Sequence, residues 1–308
     1  MSGATPHLSV PSRLTRTVTA AHGEPGRRWL AGLPERVAAH LARWDLTPER
    51  TLDPGGSLSL VTYVHRDDLS PAVLKTGLPT PETVHEHTAL THWAGRGAVL
   101  LLDADPAEGV LLLERLHGEV PLRSLAEPKA MLEATSLLHR LWVAPPEGHA
   151  LPGPADRAAD TAARLAEHRD HPAVVEAGAV VTEALATAGE LTADAGAETV
   201  LLHGDFHHGN VLAADRAPWL AIDPRPLAGE RAYDLARLAL DRADTLIGSP
   251  GAPAAVRRRL TQLSEALEVD RDRLRGWTLL RAVDLALRAL AEARPEDAEL
   301  YLEFAGAL

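Results

Sequence analysis

The chain of 308 residues contains no cysteine. This absence excludes disulfide bonds, thiolate zinc sites and cysteine nucleophiles. The sequence also lacks any apolar run near the roughly 20 residues that a membrane span requires, and residues 1–28 lack the apolar core of a secretory signal. We therefore expect a cytoplasmic protein with no membrane partner, in which residues 1–28 form an arm that precedes the folded domains.

Positive charge is scarce, since Lys and Arg together number 31 against 43 Asp and Glu, which gives a net charge of −12. Nucleic-acid-binding proteins favour basic patches, so no nucleic-acid partner is expected. An acidic protein attracts cations, which mildly favours a cationic ligand. The alternative, that the excess charge only keeps the protein soluble, stays open.

The first third of the chain has the pattern of a small sheet that carries one lysine. Gly55, Gly56 and Ser57 form a turn before an apolar strand, and a second strand ends in Lys75. A glycine turn lets backbone N–H groups approach phosphate oxygens, and a lysine on the adjacent strand adds a positive charge. The pattern thus predicts a nucleotide-covering hairpin, with a plain hairpin and a solvated lysine as the alternative.

A change in composition predicts where the first lobe ends, because the pattern beyond the sheet is helical to about residue 192. We place an N-terminal nucleotide-binding lobe at 1–113, a hinge at 114–118, and a C-terminal catalytic and acceptor-binding lobe at 119–308. Backbone groups of the hinge, at Glu114 and Leu116, are expected to contact the adenine ring.

The segment 201–223, LLHGDFHHGNVLAADRAPWLAID, contains the residues with catalytic chemistry. A predicted hairpin brings Asn210 and Asp223 to the same end of two paired strands. Their oxygen atoms are ligands that Mg²⁺ prefers, with phosphate oxygens and water completing the coordination shell. Asp205 can accept the proton of an attacking hydroxyl while the metal and Lys75 stabilise charge on a transferring phosphoryl group.

The same segment permits a rival interpretation as a metal-dependent hydrolase. In that case His203, Asp205, His207 and His208 bind a transition metal. The hydrolase would need further ligands downstream, and the sequence contains no histidine after His208.

The pattern H-G-D-x-H-x-G-N followed by I-D resembles the motif of the aminoglycoside phosphotransferases, which are relatives of the protein kinases. The segment GERAYDLA at 229–236 resembles a second motif of that family, and both segments are similar to its streptomycin and hydroxyurea branch. The resemblance implies an α+β, two-lobe, protein-kinase-like fold with a small antiparallel-sheet N-lobe and a larger, mainly helical C-lobe. It implies ATP and Mg²⁺ as cofactors and a hydroxyl of a cationic aminoglycoside as acceptor.

Within this resemblance, the 6-hydroxyl of streptomycin is the expected acceptor and antibiotic resistance the expected outcome. Hydroxyurea or another small hydroxyl metabolite is the alternative acceptor. The resemblance implies that Asp205 is the catalytic base, that Asn210 and Asp223 bind magnesium, and that Lys75 binds phosphate with Glu86 as its partner. Glu82 is the runner-up for that partner.

Further roles follow from the same resemblance. His203 is expected to support the metal carboxylate, and Asp234 to hold the backbone of the catalytic loop. Arg225 either reaches the phosphates or pairs with an acidic neighbour, and His207 is a further catalytic candidate.

The C-terminal helices contain the candidates for acceptor binding. Acidic side chains suit the guanidinium groups of streptomycin, which selects Asp241 and Asp284, with Trp277 beside them. We expect the protein to act as a monomer.

Overall fold

The computed structural model describes residues 9–193, 198–248 and 250–308. The chain divides into two compact units, of which the first ends at His117 and the second begins at Gly118. The hinge that the sequence places at 114–118 stays a prediction.

The first unit is an antiparallel sheet with helices before and within it. Its strands lie in the order β1-β2-β3-β5-β4. The helices are α1 (Ser12–Ala31), α2 (Leu33–Arg43) and α3 (Pro81–Trp93), and the strands are β1 (Thr47–Thr51), β2 (Ser59–His65), β3 (Pro71–Gly77), β4 (Leu101–Asp105) and β5 (Val110–Glu114).

The orientation of Lys75 follows from the alternation of side chains along β3. Leu74 is buried in an apolar cluster with residues of α1, α2, β2 and β5. Successive residues of a strand point to opposite faces of the sheet, so Lys75 projects from the face opposite that cluster. Lys75 lies between Val61 of β2 and Leu111 of β5, which fixes its position in the middle of the sheet.

The expectation that residues 1–28 form an arm is wrong from residue 12 onward. Helix α1 begins at Ser12, and Leu14, Val18 and Trp29 of this helix are buried in the apolar cluster of the first unit. The few apolar residues of α1 give a weak helical pattern in the sequence. The helix is stabilised instead by the burial of these residues against the sheet. Residues 1–8 lie outside the described part of the chain.

The second unit is mainly helical and contains two small groups of paired strands. Strand β7 pairs antiparallel with β10, while β8 lies between β6 and β9. The helices are α4 (Glu127–Leu141), α5 (Pro154–His168), α6 (Pro172–Glu176), α7 (Gly178–Ala193), α8 (Arg231–Ala239), α9 (Ala252–Leu267), α10 (Arg271–Ala291) and α11 (Pro295–Gly306), and the strands are β6 (His117–Pro121), β7 (Val200–Leu202), β8 (Val211–Ala213), β9 (Trp219–Ala221) and β10 (Leu227–Gly229).

Helix α10 lies at the centre of the second unit. It packs against α5, α7, α8, α9 and α11, and it is buried on most of its circumference. The predicted α+β architecture, with an antiparallel N-terminal sheet and a mainly helical C-terminal part, is confirmed.

Some elements differ from the sequence-based expectations. The helix expected at 230–245 ends at Ala239, and a 3-10 turn follows at Ala243–Thr245. Strands β6 and β10 and helix α11 were not anticipated. Strand β10 is only three residues long and has little sequence pattern of its own. Across 9–193, 198–248 and 250–308, no helix is long and apolar enough to cross a membrane.

Candidate active site

The loop after β7 follows a path that only glycine permits at one position. Gly204 has φ +77°, and a Cβ there would collide with the carbonyl oxygen of Arg225. Gly204 is thus required both for its backbone conformation and for this close approach. The Arg225 N–H also donates to the carbonyl oxygen of His203 at 2.8 Å. This bond holds the segment that contains Arg225 against the loop just before Asp205.

A buried carboxylate holds this loop from behind. Asp234 of α8 accepts hydrogen bonds from the backbone N–H groups of His203 (2.8 Å) and Gly204 (2.6 Å), and from the indole N–H of Trp142 (3.1 Å). Burial raises the pKa of Asp234 above its ordinary value. All three partners are donors, however, so the carboxylate is ionised and serves as a structural support for the loop.

Three arginines surround the carboxylate of Asp205. Arg237 Nε lies 3.1 Å from Oδ1, Arg281 Nη2 lies 3.7 Å from Oδ1, and Arg225 Nε lies 3.9 Å from Oδ2. Burial alone would raise the pKa of Asp205, but the positive charges, Arg237 foremost, hold it far below the ordinary value. Asp205 is therefore an anion at any physiological pH.

The predicted catalytic candidate His207 lies next to Asp205 as a neutral acceptor. Its Nδ1 accepts a hydrogen bond from the Gly209 N–H at 3.1 Å. Burial, reinforced by the charge of Arg237, lowers the pKa of His207 to about 4. The ring is consequently uncharged near neutral pH and cannot act there as a cationic acid.

The other two histidines of the loop have separate structural contacts. His203 Nε2 donates to the carbonyl oxygen of Ile222, the residue before Asp223, at 3.0 Å. The Nδ1 of His203 lies 3.3 Å from the backbone nitrogen of Asp205 and accepts its N–H. The His208 N–H and its Nδ1 each lie 2.8 Å from Asp241 Oδ2. In the ranges that the structure describes, no three His, Cys, Asp or Glu side chains are arranged to hold a metal ion. The geometry therefore gives no support to the hydrolase interpretation, because its proposed ligands are directed to different partners.

Asn210 and Asp223 lie at adjacent positions, as a hairpin of β8 and β9 requires. Val211 pairs with Ala221, and the Ile222 N–H donates to the Asn210 carbonyl oxygen at 2.9 Å. The Asn210 Nδ2 donates to the Asp205 carbonyl oxygen at 3.1 Å, which orients the amide. Asp223 is exposed and has φ +56°, a conformation that aspartate tolerates better than most residues.

Lys75 of the first unit forms an ion pair on the face of the sheet opposite the apolar cluster. Its Nζ lies 2.5 Å from Glu86 Oε1 of α3, and the side chains are only 13% and 8% exposed. Glu86 rather than the exposed Glu82 makes this contact. Gly55 to Ser57 lie in the loop that joins β1 and β2.

The two predicted hinge residues lie at and just beyond the end of β5. The Glu114 side chain accepts a hydrogen bond from the Leu100 N–H at 2.6 Å, and its backbone N–H donates to the Leu100 carbonyl oxygen at 3.0 Å. Leu116 is buried. Glu114 thus has a structural role at the end of β5, in addition to the predicted contact of its backbone with the adenine ring.

The predicted acceptor-binding residues, which stay a prediction, already have partners within the protein. Trp277 and Asp284 are 1% and 2% exposed, so neither is available to a ligand at the surface. Trp277 donates to Glu230 at 2.7 Å, and Asp284 accepts from Arg164 and Arg288. Asp241, in turn, contacts His208 through its Oδ2 and supports the loop.

The sequence analysis missed Arg237 and Arg281 as neighbours of Asp205. A signal for Arg237 was present, because it follows Asp234 by three residues on α8 and thus faces the same loop. Arg281 had no such signal, since 76 residues separate it from Asp205 along the chain.

Comparison with known proteins agrees with this geometry. Residues 43–293 match the family described as aminoglycoside/hydroxyurea antibiotic resistance kinase. Streptomycin 6-kinases of Streptomyces glaucescens and Streptomyces griseus are 37% and 39% identical; the matches cover 91% of this chain, and 90% and 91% of those proteins. Hydroxyurea phosphotransferase of Kitasatospora aureofaciens is 37% identical over 97% of this chain and 87% of its own.

Solved structures share the fold at lower identity. A mutant of aminoglycoside phosphotransferase APH(4)-Ia, crystallised as a ternary complex with ADP and hygromycin B, has a TM-score of 0.59 at 16% identity, covering 88% of this chain and 96% of that one. Choline kinase LicA of Streptococcus pneumoniae has a TM-score of 0.62 at 12% identity, covering 90% and 99%. The sequence match over most of the chain settles its family: the chain belongs to the aminoglycoside/hydroxyurea antibiotic resistance kinases, which are O-phosphotransferases.

Proposed function

We propose that this chain transfers the γ-phosphate of ATP to a hydroxyl group of a small-molecule acceptor. The observation that carries the proposal is the connection between Asp205 and Asn210, whose Nδ2 donates to the Asp205 carbonyl oxygen at 3.1 Å. This bond holds the proposed base and one proposed magnesium ligand on one loop, which Asp234 supports from behind. The pairing of β8 with β9 places Asp223 beside Asn210. Phosphoryl transfer depends mainly on such positioning.

Asp205 is proposed to orient the acceptor hydroxyl and to receive its proton late. With a pKa far below neutrality, its carboxylate is a good hydrogen-bond acceptor but a weak base. A hydroxyl becomes strongly acidic only once its oxygen has begun to bond to phosphorus. The proton therefore moves to Asp205 after the transfer is well advanced.

Asn210 and Asp223 fit a Mg²⁺ ion. The hydrogen bond from Asn210 Nδ2 leaves its Oδ1 as a hard oxygen donor, and the neighbouring Asp223 carboxylate is exposed. When bound, Mg²⁺ neutralises charge on the phosphate oxygens. Lys75, held by Glu86, supplies a further positive charge for the phosphates, and the backbone of Gly55–Ser57 supplies N–H donors.

For the acceptor, the two streptomycin 6-kinases support the 6-hydroxyl of streptomycin as the first candidate, with antibiotic resistance as the result. The hydroxyurea phosphotransferase supports hydroxyurea. Cytoplasmic location and a monomeric state stay predictions.

A second candidate acceptor is a hydroxyl compound that carries no positive charge. The specific observation in its favour is that the acids expected to receive guanidinium groups, Asp241 and Asp284, already bind His208 and arginines. The phosphate machinery is the same for either acceptor.

The test is ATP consumption by the purified protein with Mg²⁺, followed by mass analysis of streptomycin, hydroxyurea and a panel of uncharged and anionic hydroxyl compounds. An acceptor that gains one phosphoryl group identifies the substrate. Asp205→Asn should reduce turnover by about 10³-fold, as expected for loss of a general base. Asp160→Asn, an exposed aspartate on α5, is the matched control and should keep full activity.

Substitution of the proposed magnesium ligands tests the second half of the mechanism. Asn210→Ala and Asp223→Asn should each raise the Mg²⁺ concentration needed for half-maximal activity. An unchanged Mg²⁺ requirement would contradict their assignment, and full turnover by Asp205→Asn would refute the role of the base.

A further inference from the structure

The carboxylate of Asp205 is one end of a continuous network of charges. Arg281 lies 3.7 Å from Asp205 Oδ1 through Nη2 and 3.7 Å from Asp284 Oδ2 through Nη1. Its Nη1 also donates to the hydroxyl of Tyr233 at 3.0 Å. Arg281 therefore connects the catalytic loop with the middle of α10.

At the other end of the network, Asp284 receives two more arginines. Arg164 of α5 lies 2.5 Å from Oδ1, and Arg288 of α10 lies 2.9 Å from Oδ2. Burial lowers the pKa of Arg288, and the neighbouring charges of Arg164 and Arg225 lower it further. Arg225, which contacts Asp205, is thus also close enough to repel Arg288.

The network contains more positive than negative charge. Five guanidinium groups contact two carboxylates, Asp205 and Asp284. Two further carboxylates act on the same arginines, Asp223 on Arg225 and Asp234 on Arg281, which leaves an excess of one positive charge. The whole chain, in contrast, has a net charge of −12. Such a local excess costs folding free energy, and sites of this kind are typically functional.

Three arginines of the network reach solvent, as does the carboxylate of Asp223. The side chains of Arg225, Arg288 and Arg164 are 40%, 34% and 25% exposed, whereas the carboxylates are 19% (Asp205) and 3% (Asp284) exposed. Arg281 is 9% exposed, and its Nε is buried without a hydrogen-bond partner in the described part of the chain. A ligand beside Asp205 can therefore meet the partly exposed guanidinium groups, whereas the Nε of Arg281 is enclosed by the protein.

We propose that Arg164, Arg225 and Arg288 form an anion-binding subsite beside Asp205, which takes a carboxylate or phosphate group of the acceptor. Guanidinium groups suit these ligands because their donors match two oxygens at once. The inference rests on the proposed function, since the role of Asp205 fixes where the acceptor hydroxyl lies. A cationic acceptor would meet like charge here, so the subsite favours the second acceptor candidate.

The terminal phosphate of the nucleotide is the other anion that these arginines can bind. A binding experiment distinguishes the nucleotide phosphate from an anionic group of the acceptor and does not require turnover. Protein saturated with AMP-PNP and Mg²⁺, so that the nucleotide phosphates are already in place, is titrated with glycerol, glycerol 3-phosphate and glycerate in a calorimeter. The three probes share a hydroxyl framework, and only the last two carry an anionic group.

We expect at least one of the anions to bind about tenfold more tightly than glycerol, the factor that one modest charge contact supplies. In Arg288→Gln and Arg164→Gln this preference should fall by about tenfold, while Arg275→Gln should keep it. Arg275 is the matched control, because it lies on the same helix but pairs with Glu183. The folds of the variants should survive, since Asp284 keeps its other arginine partners.

Three results would overturn the proposal. The first is equal binding of all three probes, and the second is anion binding only when AMP-PNP is absent, which would assign the arginines to the nucleotide. The third is efficient phosphorylation of streptomycin with a kcat/KM that Arg288→Gln leaves unchanged or raises, which would keep the phosphotransfer and remove the subsite. Anion binding in a protein that never consumes ATP would instead refute the phosphotransfer, and with it the assignment of the subsite to an acceptor.

Discussion

Replacement of Asp234 by asparagine tests how the active-site loop is held. The substitution keeps the size of the side chain and removes its charge. Two effects oppose each other. Burial disfavours the charged carboxylate and raises its pKa, so a neutral side chain relieves that cost. The three donors that converge on the carboxylate, from His203, Gly204 and Trp142, favour the charge.

The geometry decides which effect is larger. Gly204 donates to Oδ1, whereas His203 and Trp142 both donate to Oδ2. An amide has one oxygen, so even in its better orientation its NH₂ group faces the Gly204 N–H. One buried donor left without an acceptor costs about 1–3 kcal/mol, and Asp234→Ala, which leaves all three donors without an acceptor, should cost about 3–9 kcal/mol. The latter is a large part of a typical free energy of unfolding, roughly 5–15 kcal/mol.

Urea denaturation and steady-state kinetics measure the two consequences. Asp234→Asn should lower the free energy of unfolding by about 1–3 kcal/mol. It should also lower kcat by up to about 10²-fold, because a loop displaced by about 1 Å misplaces Asp205. Asp160→Asn is the control for loss of an aspartate. If Asp234→Asn is as stable and as active as the unmodified protein, the cost of burying the charge dominates and the reasoning is refuted.

Three further predictions concern other parts of the site. Glu86→Gln should raise the KM for ATP and destabilise the first unit, because removal of one partner from the buried pair leaves Lys75 without its closest charge; an unchanged KM and unfolding midpoint would contradict this. Gly204→Ala should abolish turnover, since its Cβ would collide with the Arg225 carbonyl oxygen; an active, stable variant would show that the loop can move. The folded protein binds a proton at His207 only near pH 4, whereas the unfolded chain binds it near pH 6.5, so stability is lost as the pH falls between these values. His207→Gln should reduce that loss in thermal unfolding curves, and an identical pH profile would contradict the assignment.

The sequence was informative wherever the site is built from neighbouring residues. Asp205, Asn210 and Asp223 lie within one loop and one hairpin, so strand alternation and turn chemistry place them without knowledge of the rest of the chain. The same holds for Lys75, because alternation along β3 determines its face of the sheet. Two glutamates of α3, Glu82 and Glu86, were candidates to pair with Lys75. The orientation of the helix places Glu86 beside Lys75.

The sequence did not reveal that packing buries α10 on most of its circumference. Trp277 and Asp284 were assigned to an exposed face of α10, because a helix at the surface of a domain normally has one polar side. Helix α10 instead packs against α5, α7, α8, α9 and α11, so its polar residues are buried as well. Their partners come from distant segments, as Arg164 and Asp284 show, and no local pattern reveals such a pair.

The net charge of the chain differs in sign from the charges next to Asp205. An excess of acidic residues favoured a cationic ligand, yet the groups next to Asp205 are arginines. Electrostatic interactions between exposed charges fade over about 8 Å in physiological salt. A ligand within the site therefore responds to Arg225, Arg281 and Arg288 and hardly at all to acids on the far surface. For this reason the charge of the acceptor has to be inferred from the residues around Asp205, and these arginines are the ground for proposing an anionic group.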